Sequence, residues 1–139
     1  MKCKKTIVYV FLHSFLPIVL GTGIYLTVRT DWILDPDIFP KISLPSYHTL
    51  DVLIYSLPDG LWLYAFLSII EAIWACGSPL TKITWQILIV CCAIVTEFLQ
   101  KYNLINGTYD NFDIGAYLLA SIPLIFKFIH LVNQKTSSL

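Results

Sequence analysis

The stretch TKITWQILIVCCAIVTEFLQKY, Thr81 to Tyr102, decides which solvent this chain is built for. Between Lys82 and Lys101 its only charged residue is Glu97, and no Gly or Pro interrupts it. A hydrocarbon core asks for roughly 20 apolar helical residues, which this run supplies. At about 100° per residue, Gln86, Ala93, Glu97 and Gln100 fall on one face. The run therefore reads as a spanning helix with a polar stripe.

Its flanks repeat the pattern. Upstream, an apolar run from about Asp59 to Ala75 ends at Gly77, Ser78 and Pro79, a turn signal that reverses a chain within a few residues. Downstream, Asn106 and Gly107 separate it from a further run, about Asp110 to Val132. The first run, Thr6 to Val28, follows Lys2, Lys4 and Lys5. It is longer than the apolar region of a cleaved signal peptide, about 7–15 residues, and lacks a small-x-small end. The stretch 29–58 carries Asp31, Asp35, Asp37 and Asp51 with Pro36, Pro40, Pro45 and Pro58, and reads as a long outer loop with room for a short interfacial helix around Thr49 to Leu57. The expected fold is an all-α membrane protein: one transmembrane domain over residues 1–139, a four-helix transmembrane bundle with helices near 6–28, 59–75, 81–102 and 110–132.

Composition agrees. Of 139 residues, 57% are hydrophobic and only 13% charged, about half the usual share in soluble domains. Mean hydropathy is +0.73. Nine basic and nine acidic residues cancel, so no field favours nucleic acid. Cys3, Cys76, Cys91 and Cys92 show no C-x-x-C spacing and read as small apolar fillers rather than metal ligands. Nothing in the letters specifies a cofactor.

Basic residues resist translocation, so their distribution orients the spans. With the N-terminus inside, Lys2, Lys4, Lys5, Lys82, Lys127 and Lys135 are cytoplasmic, against Arg29, Lys41 and Lys101 outside. The expected topology is N-in and C-in. Asp59, Glu97, Asp110 and Asp113 then gather at the outer face, and Glu71 alone lies toward the inner half.

Ionisable side chains in a span must face protein or water. Tyr64, Ser68, Glu71 and Ala75 align on the second helix, Asp113, Ala116, Ala120 and Lys127 on the fourth, and His13, Pro17 and Gly21 on the first. Small residues admit close helix approach there. Glu71 is expected to meet Gln86 or Lys82, and His13 to be a satisfied interior histidine. Each acid also has a bland explanation: Asp110 as an N-cap, Asp113 at the positive end of its helix, Glu97 paired with Lys101 at i and i+4. Combination favours a site. Glu97 and Gln100 point the same way, and the Gly107 turn brings Asp110 and Asp113 back toward them. Carboxylates gathered in a partly apolar setting suit acid–base work, proton coupling, a cation, or the donors of a polar headgroup.

Glu97-Phe-Leu-Gln100 followed by Gly107-Thr-Tyr-Asp110-Asn-Phe-Asp113 at the start of a last apolar helix resembles the VanZ-like family of small bacterial membrane proteins. The likeness is strongest over Thr96 to Ser121, under a fifth of the chain. Thr108 stands where that family often has Arg, Tyr117 and Ala120 where it has Asn and Gly, and Leu63 where a His follows the early aspartate, here Asp59. The resemblance implies a multi-pass protein of a bacterial cytoplasmic membrane, in cell-envelope biology associated with glycopeptide (teicoplanin) resistance. The leading expectation is an outer-face cluster that binds or processes a lipid-linked or headgroup substrate. Glu97, Asp113 and Asp110 are its candidate catalytic residues, and Gln100, Asp59, Gly107 and Thr108 its candidate binding residues. Two rivals stay open: a non-catalytic membrane scaffold packing a partner span on Ala116 and Ala120, and a small proton-coupled carrier using Glu71 and Glu97.

Overall fold

In lipid every backbone N–H and C=O must be satisfied within the protein, and a helix does so within one segment. The computed structural model describes residues 7–28, 48–126 and 129. Every element among these residues is helical. A π-helical turn, Phe11–Phe15, leads into α1, Leu16–Val28; α2 is His48–Ile73, α3 is Pro79–Lys101 and α4 is Asn111–Ala120. Three helical stretches are long and apolar enough to cross a membrane: Ile7–Thr27, Ile54–Ile73 and Pro79–Lys101. Among the described residues the fold is all-helical, with the make-up of a multi-pass membrane protein.

Burial points the same way. Ser14, Ser56, Ser68, Gln86, Glu97, Asp113 and Ser121 are buried, whereas Phe66, Ile73, Leu80 and Leu119 are exposed by 53%, 67%, 74% and 68%. A water-soluble domain hides such apolar side chains and shows its charges. Here the outward face matches hydrocarbon, and the polar groups are turned inward, several of them onto partners.

Helix α2 is the hub, packing against the π-turn, α1, α3 and α4, while α3 and α4 also touch each other. Leu63 and Leu67 of α2 and Tyr117 of α4 form the centre, with Ile89, Val90, Ala93 and Ile94 of α3 against them. Gly60 brings α2 and α4 close: a Cβ added there would lie 3.1 Å from that of Ala116. Gly21 likewise admits the Trp62 indole, which an added Cβ would meet at 3.0 Å.

Two expected boundaries move. Helix α2 begins at His48, so the interfacial helix expected around Thr49 to Leu57 is its first part, and the expected outer loop 29–58 gives up its last eleven positions; its remainder, 29–47, lies outside the described residues. Pro58 does not end the helix. It sits fully buried inside α2, where it removes a single N–H from the ladder and its carbonyl lies against Gly21 of α1.

The helix expected over 110–132 is instead broken. Helix α4 stops at Ala120, Ser121 forms a turn, and helix resumes over 122–126. Pro123 has no N–H for the Leu119 carbonyl, and the Ser121 hydroxyl donates back to the Tyr117 carbonyl at 2.7 Å, a bond that bends helices. Positions 127, 128 and 130–132 of the expected helix lie outside the described residues, among them Lys127, placed on its inner face by the sequence.

Candidate functional site

The site begins with how α3 ends. Asn103 takes the left-handed conformation at φ 56°. Its N–H donates to the Gln100 carbonyl at 2.9 Å and the Leu104 N–H to the Leu99 carbonyl at 2.9 Å. This is a Schellman closure with Asn in the place Gly usually takes. The chain then turns through Gly107 at φ 145°, where a Cβ would lie 2.6 Å from the Gln100 side-chain amide. Gly107 is thus required twice, by its backbone angle and by the Gln100 side chain packed on it. Lys101 swings outward, its Nζ 4.8 Å from the centre of the Tyr109 ring.

Helix α4 starts at Asp110, whose carboxylate accepts the Phe112 N–H at 2.9 Å. That is N-capping, and Asp110 does not line the cavity described next. Asp113, in the first turn, points inward and is 3% exposed. Glu97, four residues before the end of α3, is 4% exposed.

These groups meet. Asp59, Glu97, Gln100, Gly107, Thr108 and Asp113 line a single cavity of about 440 Å³. Three carboxylates thus come from α2, α3 and α4, and among the described residues no Lys, Arg or His lines the cavity. Tyr25, Trp62, Thr96 and Tyr117 complete its wall. The Tyr117 hydroxyl donates to Glu97 Oε1 at 3.3 Å, and the Tyr25 and Trp62 rings pack with centres 5.4 Å apart. A carboxylate buried this deeply is retained only with hydrogen-bonding partners, and Tyr117 is one of them. Chemically, the cavity offers acceptors on a partly aromatic wall, which suits a ligand presenting hydroxyl, amide or amine donors.

Of the seven residues singled out from the sequence, six share this cavity, and Asp110 remains a cap. The four others were missed, although the helical repeat carries a signal for two. Trp62 lies three residues after Asp59 and Tyr117 four after Asp113, spacings that share a face. Tyr25 has no such marker, since it reaches the cavity only through the packing of α1 on α2.

A second polar cluster lies deeper. Lys82 Nζ donates to Glu71 Oε1 at 2.9 Å, and Gln86 Nε2 donates to the Leu67 carbonyl at 3.1 Å and approaches Glu71 Oε2 at 3.5 Å. Glu71 therefore meets both residues that the sequence offered it. His13, within the π-turn, has Nδ1 at 2.6 Å from the Tyr64 hydroxyl, and is an interior histidine held by a partner. Leu63 and Leu67 lie between this cluster and the acidic cavity along α2. Comparison with family models, curated proteins and solved structures finds no match for the chain.

Proposed function

We propose that this chain is a VanZ-like protein of the bacterial cell envelope, set in the cytoplasmic membrane as a four-span bundle with both termini inside, whose outer cavity binds or processes a lipid-linked or headgroup substrate. The observation that carries this reading is the gathering of Asp59, Glu97 and Asp113 from three helices around one volume. About 440 Å³ lies within the usual range of small-ligand sites, roughly 300–1,000 Å³. A headgroup rich in donors fits a wall of acceptors. Glu97 is the group placed to exchange a proton with it, and Gln100, held on Gly107, orients Glu97 or the ligand. Against the carrier reading, a layer containing Leu63, Leu67 and Tyr117 stands between Glu97 and Glu71; the scaffold reading keeps its surface, since Ala116 and Ala120 line the slot between α2 and α4.

The test is retention of bacterial envelope lipids. The chain is purified in mild detergent after exposure to a total envelope lipid extract, and bound species are weighed by native mass spectrometry. Wild type is expected to keep a defined lipid; Glu97→Gln and Asp113→Asn are expected to lose it at least tenfold while reaching the same membrane level. Full retention by both variants would reduce the cluster to capping and packing. Under the same reading, teicoplanin susceptibility of a host expressing wild type shifts, and that of a host expressing Glu97→Gln does not.

A further inference from the structure

A second cavity, about 370 Å³, lies between α2 and α4. At about 100° per residue its α2 wall, including Leu57 and Gly60, falls on the side of the helix turned away from Asp59 and Trp62. Phe112, Gly115 and Leu119 of α4 face it from the other side. Leu57, Phe112 and Leu119 are exposed by 46%, 56% and 68%, so this opening meets the surrounding medium. For a helix apolar enough to span, that medium is hydrocarbon.

One wall residue does not belong in such a slot. Ser56 is 4% exposed, and its hydroxyl has no hydrogen-bond partner among the described residues. Helical serines commonly donate back to the preceding turn, and a buried hydroxyl left without an acceptor is costly. Ser56 also stands 17 residues before the end of α2 at Ile73, about 26 Å of helical rise, close to the roughly 30 Å of a hydrocarbon core, which sets it near the level of the lipid ester region if the end of α2 marks the other boundary.

We propose that this cavity holds one acyl chain of a membrane phospholipid, with the Ser56 hydroxyl donating to the chain's ester carbonyl. The depth of Ser56 and the apolar walls below it match the two parts of that ligand in order. A helix from a second copy fits less well, because its carbonyls are already engaged in its own ladder and leave Ser56 without a good acceptor. The site is separate from the acidic cavity and does not depend on what binds there.

The experiment uses the full chain in liposomes of diester phosphatidylglycerol containing a trace of the same lipid with a photoactivatable acyl chain. Adducts are mapped by mass spectrometry, with unlabelled diester or diether phosphatidylglycerol as competitor. Adducts at Leu57, Phe112 and Leu119 are expected to saturate, and diester to compete about fivefold better than diether, the ratio for one net hydrogen bond of about 1 kcal/mol. Ser56→Ala should bring the two competitors to parity. Gly115→Leu should abolish the saturable adducts without unfolding the chain, since a Cβ at Gly115 meets nothing within 4 Å. Labelling at Phe66 and Trp85, on other faces, should stay unsaturable in every variant. The proposal is overturned if groove labelling is as unsaturable as at Phe66, if diether competes equally in wild type, or if lipid adducts at Phe112 vanish as the protein-to-lipid ratio is raised, the result of a second copy covering the groove. Glu97→Gln should leave all these readouts unchanged, which separates failure here from failure of the outer-cavity reading.

Discussion

At the residue scale the account turns on Gly107. Its φ of 145° and the 2.6 Å that would separate an added Cβ from the Gln100 amide make it the one position where a methyl group must move the site. Gly107→Ala is expected to cost about 1–3 kcal/mol in stability, the range for a residue forced into a sparsely populated backbone region. It should also lower lipid retention by displacing Gln100. Thermal unfolding in detergent and native mass spectrometry check both, and adding Gln100→Ala should recover part of the stability and none of the retention. How far single residues could be read from the letters depended on how local their partners are. Asp110 as a cap and the Glu71 partners Lys82 and Gln86 follow from helical spacing and depth alone. Glu97 was harder: its i+4 neighbour Lys101 offered a plain surface pair, yet Lys101 turns to Tyr109 and Glu97 is drawn inward, where Tyr117 donates to it. Choosing between those outcomes requires knowing which face α4 presents, and one helix seen alone cannot supply that.

At the element scale, α2 holds the other helices in place, and its inner half is tied to α3 by polar contacts. The Glu71 and Lys82 side chains are 20% and 18% exposed, so the pair is shielded without being fully removed from its surroundings. Lys82→Met should destabilise the chain by about 1–2 kcal/mol, between the values for exposed and buried pairs, because Glu71 loses the Lys82 ammonium. The double variant Lys82→Met with Glu71→Gln should regain most of that loss. A double-mutant cycle on melting temperature checks it, and additive losses would mean that the pair contributes nothing jointly. Elements also show where reading the letters alone falls short. The runs that became α1 and α3 were legible because they are long and apolar on the scale of a bilayer, although only the second is free of Gly and has its Pro confined to the first turn. Pro58 and Pro123 were misjudged in opposite directions: α2 continues through the first, and helix is interrupted before the second. What separates them is context, since Pro58 is buried in the α1–α2 packing, whereas Pro123 is exposed and acts together with the Ser121 hydroxyl that bonds back to Tyr117.

At the scale of the whole molecule, the central claim is that three helices carry carboxylates to one aqueous hollow near a membrane boundary, with apolar packing beneath it. The polarity of the faces foretold the gathering of acids, while the cavity itself is a product of tertiary packing that leaves no trace in periodicity. The proposed topology places that hollow outside and the α2–α3 turn, with exposed Cys76, inside. The most direct measurement is thiol accessibility in intact cells, using Glu97→Cys in a background whose native cysteines are replaced by serine. Small membrane-impermeant methanethiosulfonates are added from outside, one cationic and one anionic. The account predicts modification by both from the outer side, more slowly than at Asn106→Cys on the exposed adjoining turn because the hollow is partly enclosed. Glu71→Cys, beneath the apolar layer, should stay inert. Modification of position 97 only in inverted vesicles, or none from either side, would contradict the claim.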